Sequence, residues 1–397
     1  MSHTPFENRV VRALLRCALW LVLAVSAYWS LRLAWADHLS YGAELAGRER
    51  AVELAPTAAV FAERLAGLRD ELGGDGLPDL RRAAMLDPEN PERRMRLGVR
   101  AELAGDYPLA ERSLLAAATR SRLYQPKYLL AQYYFRRQNA SQFFWWARAA
   151  LETAWGDATP LFDLGWRMRP DAAWLSANLI PPRRETVQKY LAYLTHCERW
   201  EAATGEARKL LPAARSADLE RLLAYGEARL SRGDASQAVE LWNALCLRHL
   251  LSLEPLDPSG DQLITNGDFL QVPSGRGFDW RLTEQPGVTA RAEGGRLRVS
   301  FTGGQPERCT IVWQYIATSP AVRYRLRWEA RTDGGEPASG IAWAIPDVRL
   351  GPASADSQEF VAAKDLTRIS LIYQRPAGRA RLEGTVWMGH VRLGPAP

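Results

Sequence analysis

The hydrophobic periodicity changes once along this 397-residue chain, near Leu253. Before that point apolar residues recur at the three- and four-residue spacing of a helix, as at Leu222 and Tyr225. After it they alternate with polar residues, as at Leu297 and Val299, which is typical of half-buried strands. Because one periodicity cannot serve both elements, the sequence predicts a multidomain chain with a helical region followed by a β domain.

The N-terminal part contains an apolar run over residues 13–31, whose one charge is Arg16. A helix of this length rises about 28 Å, close to the ~30 Å of a bilayer's hydrocarbon core. Arg9 and Arg12 precede the run, so the positive-inside rule places the N-terminus in the cytoplasm and exports the rest. The sequence therefore predicts a single-pass bacterial inner-membrane protein, with a cytoplasmic N-terminus and its bulk in the periplasm.

Two alternatives to a retained anchor remain open. Ala34 and Ala36 enclose Trp35 in the A-x-A form of a signal-peptidase site, so the segment could instead be a cleaved signal. It could also be a buried helix of a soluble protein. Arg32 and the bulky Trp35 beside the cleavage site favour a retained anchor.

The helical region is self-similar. Leu97-Gly98 is followed seven residues later by Gly105-Asp106, and Tyr225-Gly226 is followed seven residues later by Gly233-Asp234. Small residues such as Gly98 and Gly226 let paired helices approach closely, while Gly105 supplies the turn between them. The glycines at 73–76 are interpreted as a loop insertion, and residues 156–182 fit the pattern poorly.

These residues resemble the tetratricopeptide repeat, a 34-residue helix–turn–helix unit. The resemblance implies about six hairpins stacked into an all-α solenoid whose concave face binds proteins. Candidate residues for a partner groove are Tyr124, Tyr128, Phe144 and Trp145, and the favoured alternative places these rings in the inter-repeat core.

The β domain is predicted to hold eight or so short strands separated by Gly and Pro turns, as in a two-sheet sandwich. It opens with Asn266-Gly267-Asp268-Phe269, and the strand at 324–331 has the sequence YRLRWEAR. These elements resemble jelly-roll carbohydrate-binding modules, over residues 262–397. The resemblance implies aromatic rings that stack on sugars, with amide and guanidinium groups beside them.

That resemblance yields five candidate glycan-binding residues: Trp280, Gln314, Trp343, Tyr373 and Arg375. The alternative is that the tryptophans fill the sandwich core, and this alternative is favoured for Trp328 because it is in phase with Tyr324 and Leu326.

Composition and motifs exclude several classes of function. The 51 basic residues, mostly arginine, are balanced by 45 acidic ones and form no run, so no nucleic-acid partner is predicted. Cys197 and Cys246 could pair or remain free thiols, and no zinc spacing occurs. A calcium site is not predicted either, because calcium takes about six to eight oxygen ligands and Asp268 alone cannot supply them. No metal, cofactor or catalytic residue is predicted, because the motifs of common enzymes are absent from the sequence.

The expected protein has five segments: a cytoplasmic N-terminus at 1–12, an anchor at 13–36, helical repeats at 37–252, a linker at 253–261 and the sandwich at 262–397. Its repeats would bind membrane or periplasmic proteins, and its β domain would bind polysaccharide. This pairing resembles accessory proteins of bacterial exopolysaccharide or O-antigen assembly. Two alternatives are a purely protein-binding scaffold and a glycan-processing enzyme with an unrecognised site.

Overall fold

The computed structural model describes residues 5–333, 339–345, 348–352 and 356–396, so the first four residues of the predicted N-terminal segment lie outside the described residues. The chain divides into two compact units, Met1–Thr186 and Val187–Pro397. The division lies inside the helical region, so the second unit contains the last helical hairpins together with the whole β domain.

The described part of the chain contains fourteen α-helices. They are α1 Pro5–Ser40, α2 Leu45–Leu54, α3 Ala59–Glu71, α4 Leu77–Leu86, α5 Pro91–Leu103, α6 Tyr107–Arg120, α7 Tyr124–Arg136, α8 Ala140–Leu151, α9 Thr159–Met168, α10 Ala172–Asn178, α11 Arg184–His196, α12 Trp200–Leu210, α13 Ser216–Ser231 and α14 Ala235–Leu247. From α3 onward they follow one another as six helix–turn–helix pairs, as the tetratricopeptide pattern predicts.

Close helix approach at glycine is confirmed in these pairs. A Cβ atom on Gly98 would lie 2.6 Å from Leu114 Cγ, and one on Gly226 would lie 2.8 Å from Leu241 Cδ2. The same contact occurs in α9, where a Cβ on Gly165 would lie 2.4 Å from Leu179 Cδ2. Residues 156–182 therefore form a repeat of the same kind, although their sequence fits the pattern poorly.

The hairpin turns also repeat a backbone conformation. Five of them contain a residue with positive φ: Gly73, Gly105, Gln138, Glu198 and Gly233. Asp106, Asn139 and Asp234 then cap the second helices, each accepting from a backbone N–H three residues ahead. The glycine segment interpreted as a loop insertion is the turn between α3 and α4, with five residues (72–76) where the α5–α6 turn has three (104–106).

Helix α1 is long and apolar enough to cross a membrane over Ala13–Ser40, judged by length and composition, and the most apolar 18 residues of this stretch are not buried in the fold. Its C-terminal end is different. Ala36 is fully buried in a cluster with Ala51 and Phe61. Arg32 Nε donates to the carbonyl oxygen of Leu54 at 2.6 Å. The last turns of α1 are therefore part of the packed helical region.

The β domain contains ten described strands. They are β1 Arg281–Leu282, β2 Val288–Glu293, β3 Arg296–Thr302, β4 Arg308–Ala317, β5 Arg323–Thr332, β6 Ile341–Ile345, β7 Val348–Pro352, β8 Ser357–Val361, β9 Leu366–Gln374 and β10 Glu383–Pro395. The strands β3, β4, β5, β6, β9 and β10 are those that the sequence pattern predicts. The strands β1, β2, β7 and β8 are additional.

The strands form two antiparallel five-stranded sheets, which confirms the predicted sandwich. The first sheet has the order β1-β4-β9-β6-β7 and the second the order β2-β3-β10-β5-β8. Strands close in sequence mostly alternate between the sheets, as in a jelly roll. Alternating side chains from both sheets fill one core that includes Leu297, Val299 and Trp328, so the core position predicted for Trp328 is confirmed.

The outer face of the first sheet packs against the last helical hairpin, α13–α14, within the same compact unit. Trp242 of α14 lies edge-to-face with Phe278, with ring centroids 5.9 Å apart. Arg281 Nη2 donates to both carboxylate oxygens of Glu227 on α13, at 2.8 and 2.9 Å. Ala317 of β4 completes this apolar cluster. The outer face of the second sheet is not part of this contact.

Candidate functional site

An aromatic surface lies on α8, the second helix of its hairpin. Asn139 begins the helix by accepting from the N–H of Gln142. Phe143, Phe144 and Trp146 point into the repeat core, whereas the side chain of Trp145 is exposed, at 61%. An exposed indole on a rigid helix costs little entropy when it is covered, so Trp145 is suited to binding a partner.

Trp145 borders a surface cavity of about 570 Å³ between α8 and the α9–α10 hairpin. Its wall is formed by Ala140, Ser141, Phe144, Trp145, Arg148, Met168, Arg169, Trp174 and Asn178. We call this the α8–α10 cavity. Two of the four predicted groove residues, Phe144 and Trp145, therefore lie in this wall. Trp174 lies in the same wall, although no candidate residue was predicted in its segment.

The cavity wall is held in place by ring contacts. Phe144 and Trp174 pack edge-to-face with centroids 4.4 Å apart, and Trp145 packs on Trp146 at 4.3 Å. Such pairs hold aromatic rings in fixed orientations. The wall is therefore pre-formed, which reduces the entropy lost when a ligand binds.

Two arginines lie at the rim of the cavity, and each is paired with a carboxylate just outside the wall: Arg169 lies 3.7 Å from Asp171, and Arg148 lies 4.0 Å from Glu152. Arg148 also donates to the backbone oxygens of Ala177 and Asn178. The guanidinium of Arg169 lies 4.5 Å from the ring centroid of Trp174. The described wall contains no carboxylate. The cavity thus offers an apolar floor, with two arginines and the carboxylates paired with them at its edge.

The other two groove candidates, Tyr124 and Tyr128, lie on α7 and do not border the α8–α10 cavity among the described residues. Their rings stack with centroids 5.2 Å apart, and both are half-buried. Burial raises the pKa of Tyr124 well above its usual value, and the neighbouring Tyr128 and Asp157 raise it further. The four residues predicted to line one groove therefore lie in two separate places, two at the α8–α10 cavity and two on α7.

The structure corrects four of the five glycan-binding candidates, because their side chains are buried. Trp280 and Trp343 are fully enclosed in the sandwich core, with ring centroids 6.0 Å apart. Gln314 is enclosed as well, and its Nε2 donates to the carbonyl oxygen of Thr265 at 3.0 Å. Tyr373 is also fully buried. None of these side chains has surface to offer a sugar.

The fifth candidate, Arg375, is exposed in the loop that follows β9. Its Nε donates to Glu307 at 2.5 Å, and its Nη1 donates to the carbonyl oxygen of Arg379 at 3.3 Å. Arg381 donates to the same carboxylate at 3.2 Å. Arg375 is thus held in a local network of charges rather than beside the other four candidates.

The tryptophan side chains that reach the outer faces of the sandwich are Trp313 and Trp387, both half-buried. Trp313 belongs to the first sheet, where Arg281 and Arg368 lie over its ring at 4.5 and 4.2 Å. Trp387 belongs to the second sheet, and its Nε1 donates to Asp333. Trp387 is not among the predicted glycan-binding residues, although its side chain alternates with the core residues Val386 and Met388.

The four cysteines are free thiols, with Cys197 exposed and Cys246 buried. The pairing that the sequence left open is therefore absent from this fold. Burial raises the pKa of the Cys246 thiol to about 12. Among the described residues, no group of three His, Cys, Asp or Glu side chains is arranged to hold a metal ion.

No protein-family model matches this chain, and no curated protein matches it. Solved structures similar to it include YrrB, described as a TPR protein with an unusual peptide-binding site, at 13% identity and a TM-score of 0.26, covering 52% of this chain and 94% of that one. A tetratricopeptide-repeat protein from Parabacteroides merdae is 12% identical with a TM-score of 0.32, covering 56% and 97%. Pseudomonas aeruginosa pilF is 13% identical with a TM-score of 0.26, covering 56% and 91%.

Proposed function

We propose that this protein is a membrane-anchored, non-catalytic scaffold that binds another protein through the α8–α10 cavity. The observation that carries the proposal is the exposed Trp145 beside a pre-formed aromatic wall. Tryptophan and arginine are the residues most enriched at the energetic centres of interfaces, and this surface combines them.

The two arginines at the cavity indicate which chemical groups a partner would present. Its apolar floor would take an aromatic or aliphatic side chain, and Arg148 and Arg169 would meet a carboxylate next to that side chain. We therefore infer that the partner presents an acidic peptide segment with one large apolar residue. A basic segment would find no unpaired carboxylate in the described wall, since Glu152 and Asp171 lie outside it and are paired with these arginines.

The test is quantitative co-purification of the full chain from native membranes, comparing wild type with Trp145→Ser. Leu123→Ser is a matched control, because Leu123 is also exposed, at 69%, and lies away from the cavity wall. A protein that is lost with Trp145→Ser and retained with Leu123→Ser supports the proposal. Identical sets of proteins from all three samples would contradict it.

Membrane attachment by α1, with the N-terminus in the cytoplasm and the bulk in the periplasm of a bacterium, is the second element of the proposal. Its support is the exposed apolar stretch of α1, whose C-terminal end packs on the helical region. Alkaline phosphatase fused after residue 397 would be active in this orientation. If the phosphatase fusion is inactive but still sediments with membranes, the bulk of the protein is on the cytoplasmic side and the proposed orientation is wrong.

We also propose that the β domain binds glycan and that the protein assists exopolysaccharide or O-antigen assembly. The supporting observation is Trp387, a half-buried indole among polar side chains on the outer face of the second sheet. Sugars bind to such rings through their C–H faces. Turnover of a polysaccharide by the full chain would overturn the non-catalytic assignment in favour of a glycan-processing enzyme.

A further inference from the structure

The second sheet carries an arginine-rich outer face, on which several arginines are paired with glutamates. Its strands contain eight arginines and four glutamates. The arginines alternate with core residues, as Arg325 and Arg327 do on either side of the buried Leu326. Alternation therefore places these guanidinium groups together on the solvent side of one sheet.

One row across this face combines arginine with tryptophan. In the strand register Arg291 lies opposite Arg298, Arg298 opposite Trp387, and Trp387 opposite Arg331. We call these four residues the Arg–Trp row. With strands about 4.8 Å apart, the row spans about 14 Å. Three cations and one indole are thus aligned on four neighbouring strands.

The indole is fixed in orientation. Trp387 Nε1 donates to both carboxylate oxygens of Asp333, at 3.2 and 3.1 Å. The guanidinium of Arg298 lies 5.6 Å from the Trp387 ring centroid. A ring held at its Nε1 edge and by one guanidinium loses little freedom when the C–H face of a sugar ring packs on it.

Of the three arginines in the row, Arg291 is paired with Glu293 at 2.9 Å, whereas Arg298 and Arg331 are incompletely satisfied. Arg298 Nε is buried without a hydrogen-bond partner in the described structure, and its Nη1 reaches Glu293 at 3.4 Å. Arg331 is exposed and has no ion pair with the described residues. Because guanidinium groups bind carboxylates bidentately, Arg331 and the exposed part of the Arg298 side chain are suited to anions on a ligand.

We propose that the Arg–Trp row binds a linear acidic polysaccharide, with one sugar ring on Trp387 and its neighbours' carboxylates on Arg298 and Arg331. This inference rests on the proposed glycan binding and adds the class of glycan and its site. The row crosses four neighbouring strands, which fits an extended polymer.

The test measures binding of the full chain, in detergent micelles, to immobilised polygalacturonate. Fully methyl-esterified polygalacturonan is the matched neutral polymer, because it has the same backbone without the charge. Binding to polygalacturonate should fall about tenfold or more in Arg298→Gln/Arg331→Gln, the loss expected for charge-assisted hydrogen bonds. Trp387→Ala should weaken binding as well.

The control removes two positive charges elsewhere, with Arg50→Gln/Arg112→Gln on the exposed surfaces of α2 and α6. It should bind polygalacturonate like wild type. Unchanged unfolding temperatures would show that the variants are folded. If Arg298→Gln/Arg331→Gln does not fold, the single variants Arg298→Gln and Arg331→Gln are measured instead. Each of them should lose part of the binding to polygalacturonate.

The outcomes separate the two proposals. Equal binding of the neutral and acidic polymers, or binding that survives loss of the Arg–Trp row, overturns this inference and leaves glycan binding in place. Binding to neither polymer overturns both. Binding to neither polymer, together with binding to vesicles containing phosphatidylglycerol that is lost in Arg298→Gln/Arg331→Gln, would identify the row as a membrane-contact surface and would also overturn both.

Discussion

Gly277 lies against the ring of Trp242 so closely that a Cβ atom on the glycine would be 2.2 Å from Trp242 Cζ3. The loop before β1 and helix α14 are thus fitted to each other without room for a methyl group. Arg281 and Glu227 form their ion pair beside this contact. The last helical hairpin and the β domain therefore fold as one compact unit, which agrees with the division of the chain at Thr186.

Gly277→Ala is predicted to destabilise this unit. The new methyl group must displace Trp242, and overpacking costs about 1–3 kcal/mol. The positive φ of 55° at Gly277 adds about 1–2 kcal/mol for a residue with a Cβ atom. Denaturant unfolding of the full chain measures the loss.

Gly275→Ala is the matched control for that variant. Gly275 lies in the same loop and has a φ of 70°, but a Cβ atom on it would meet nothing within 4 Å. It should therefore show the backbone cost without the packing cost. Equal losses from the two variants would mean that the contact with Trp242 adds nothing to stability.

Gly98→Ala tests the helix approach in the repeats. The added Cβ would lie 2.6 Å from Leu114 Cγ, so the α5–α6 pair must separate, at a cost of about 1–3 kcal/mol. Gly67→Ala, in the exposed interior of α3 with no atom near the new Cβ, should instead stabilise the chain by up to about 1 kcal/mol. If thermal unfolding moves in the same direction for both variants, the packing explanation fails.

Acid is predicted to weaken the contact between Asp268 and the end of β10. Arg392 donates to Asp268 at 2.6 Å and lowers the pKa of that carboxyl below its usual value, and His390 adds to the shift. A lowered pKa in the folded state means that the contact stabilises the fold above the unfolded pKa of about 3.9. This stability is lost as pH falls through the folded pKa.

Asp268→Asn should therefore cost more unfolding free energy at pH 7 than at pH 3. Asp261→Asn is the control, because Asp261 is exposed and has no ion pair with the described residues. Urea unfolding at the two pH values measures both variants. An Asp268→Asn loss that is the same at pH 3 as at pH 7 would show that ionisation of Asp268 does not stabilise the fold.

The apolar N-terminal segment is predicted to remain on the mature protein. Cleavage after Ala36 would remove the buried Ala36 itself and the hydrogen bond from Arg32 to Leu54. Mass spectrometry of the membrane-extracted protein should detect peptides from residues 17–36. A mature N-terminus at Asp37 would instead identify the segment as a signal peptide.

The sequence predicted the architecture better than the glycan-binding residues, for a reason that the strands explain. Trp343 lies on β6, where Ile341, Ala342 and Ala344 are also buried. Both faces of that part of the first sheet are covered, so alternation no longer distinguishes inside from outside. On the second sheet one face is exposed, and the alternation around Trp387 could have revealed its outward position.

On α8 the helical spacing likewise distinguishes buried side chains from exposed ones. Phe143, Phe144, Trp146 and Ala147 follow the buried stripe, and Trp145 falls on the opposite side. Sequence could therefore select Trp145. It could not pair Trp145 with Trp174, because that contact depends on how two successive hairpins stack, and residues 156–182 carry a weak repeat pattern.

The most direct test of the proposed scaffold is photocrosslinking in native membranes, with benzoylphenylalanine in place of Trp145. We expect one discrete crosslinked protein, and Arg169→Glu should reduce its yield because the reversed charge repels an acidic segment. Arg112→Glu, a charge reversal on the exposed side of α6, should leave the yield unchanged. No crosslinked protein at position 145, or a yield that is insensitive to Arg169→Glu, would contradict protein binding at the α8–α10 cavity.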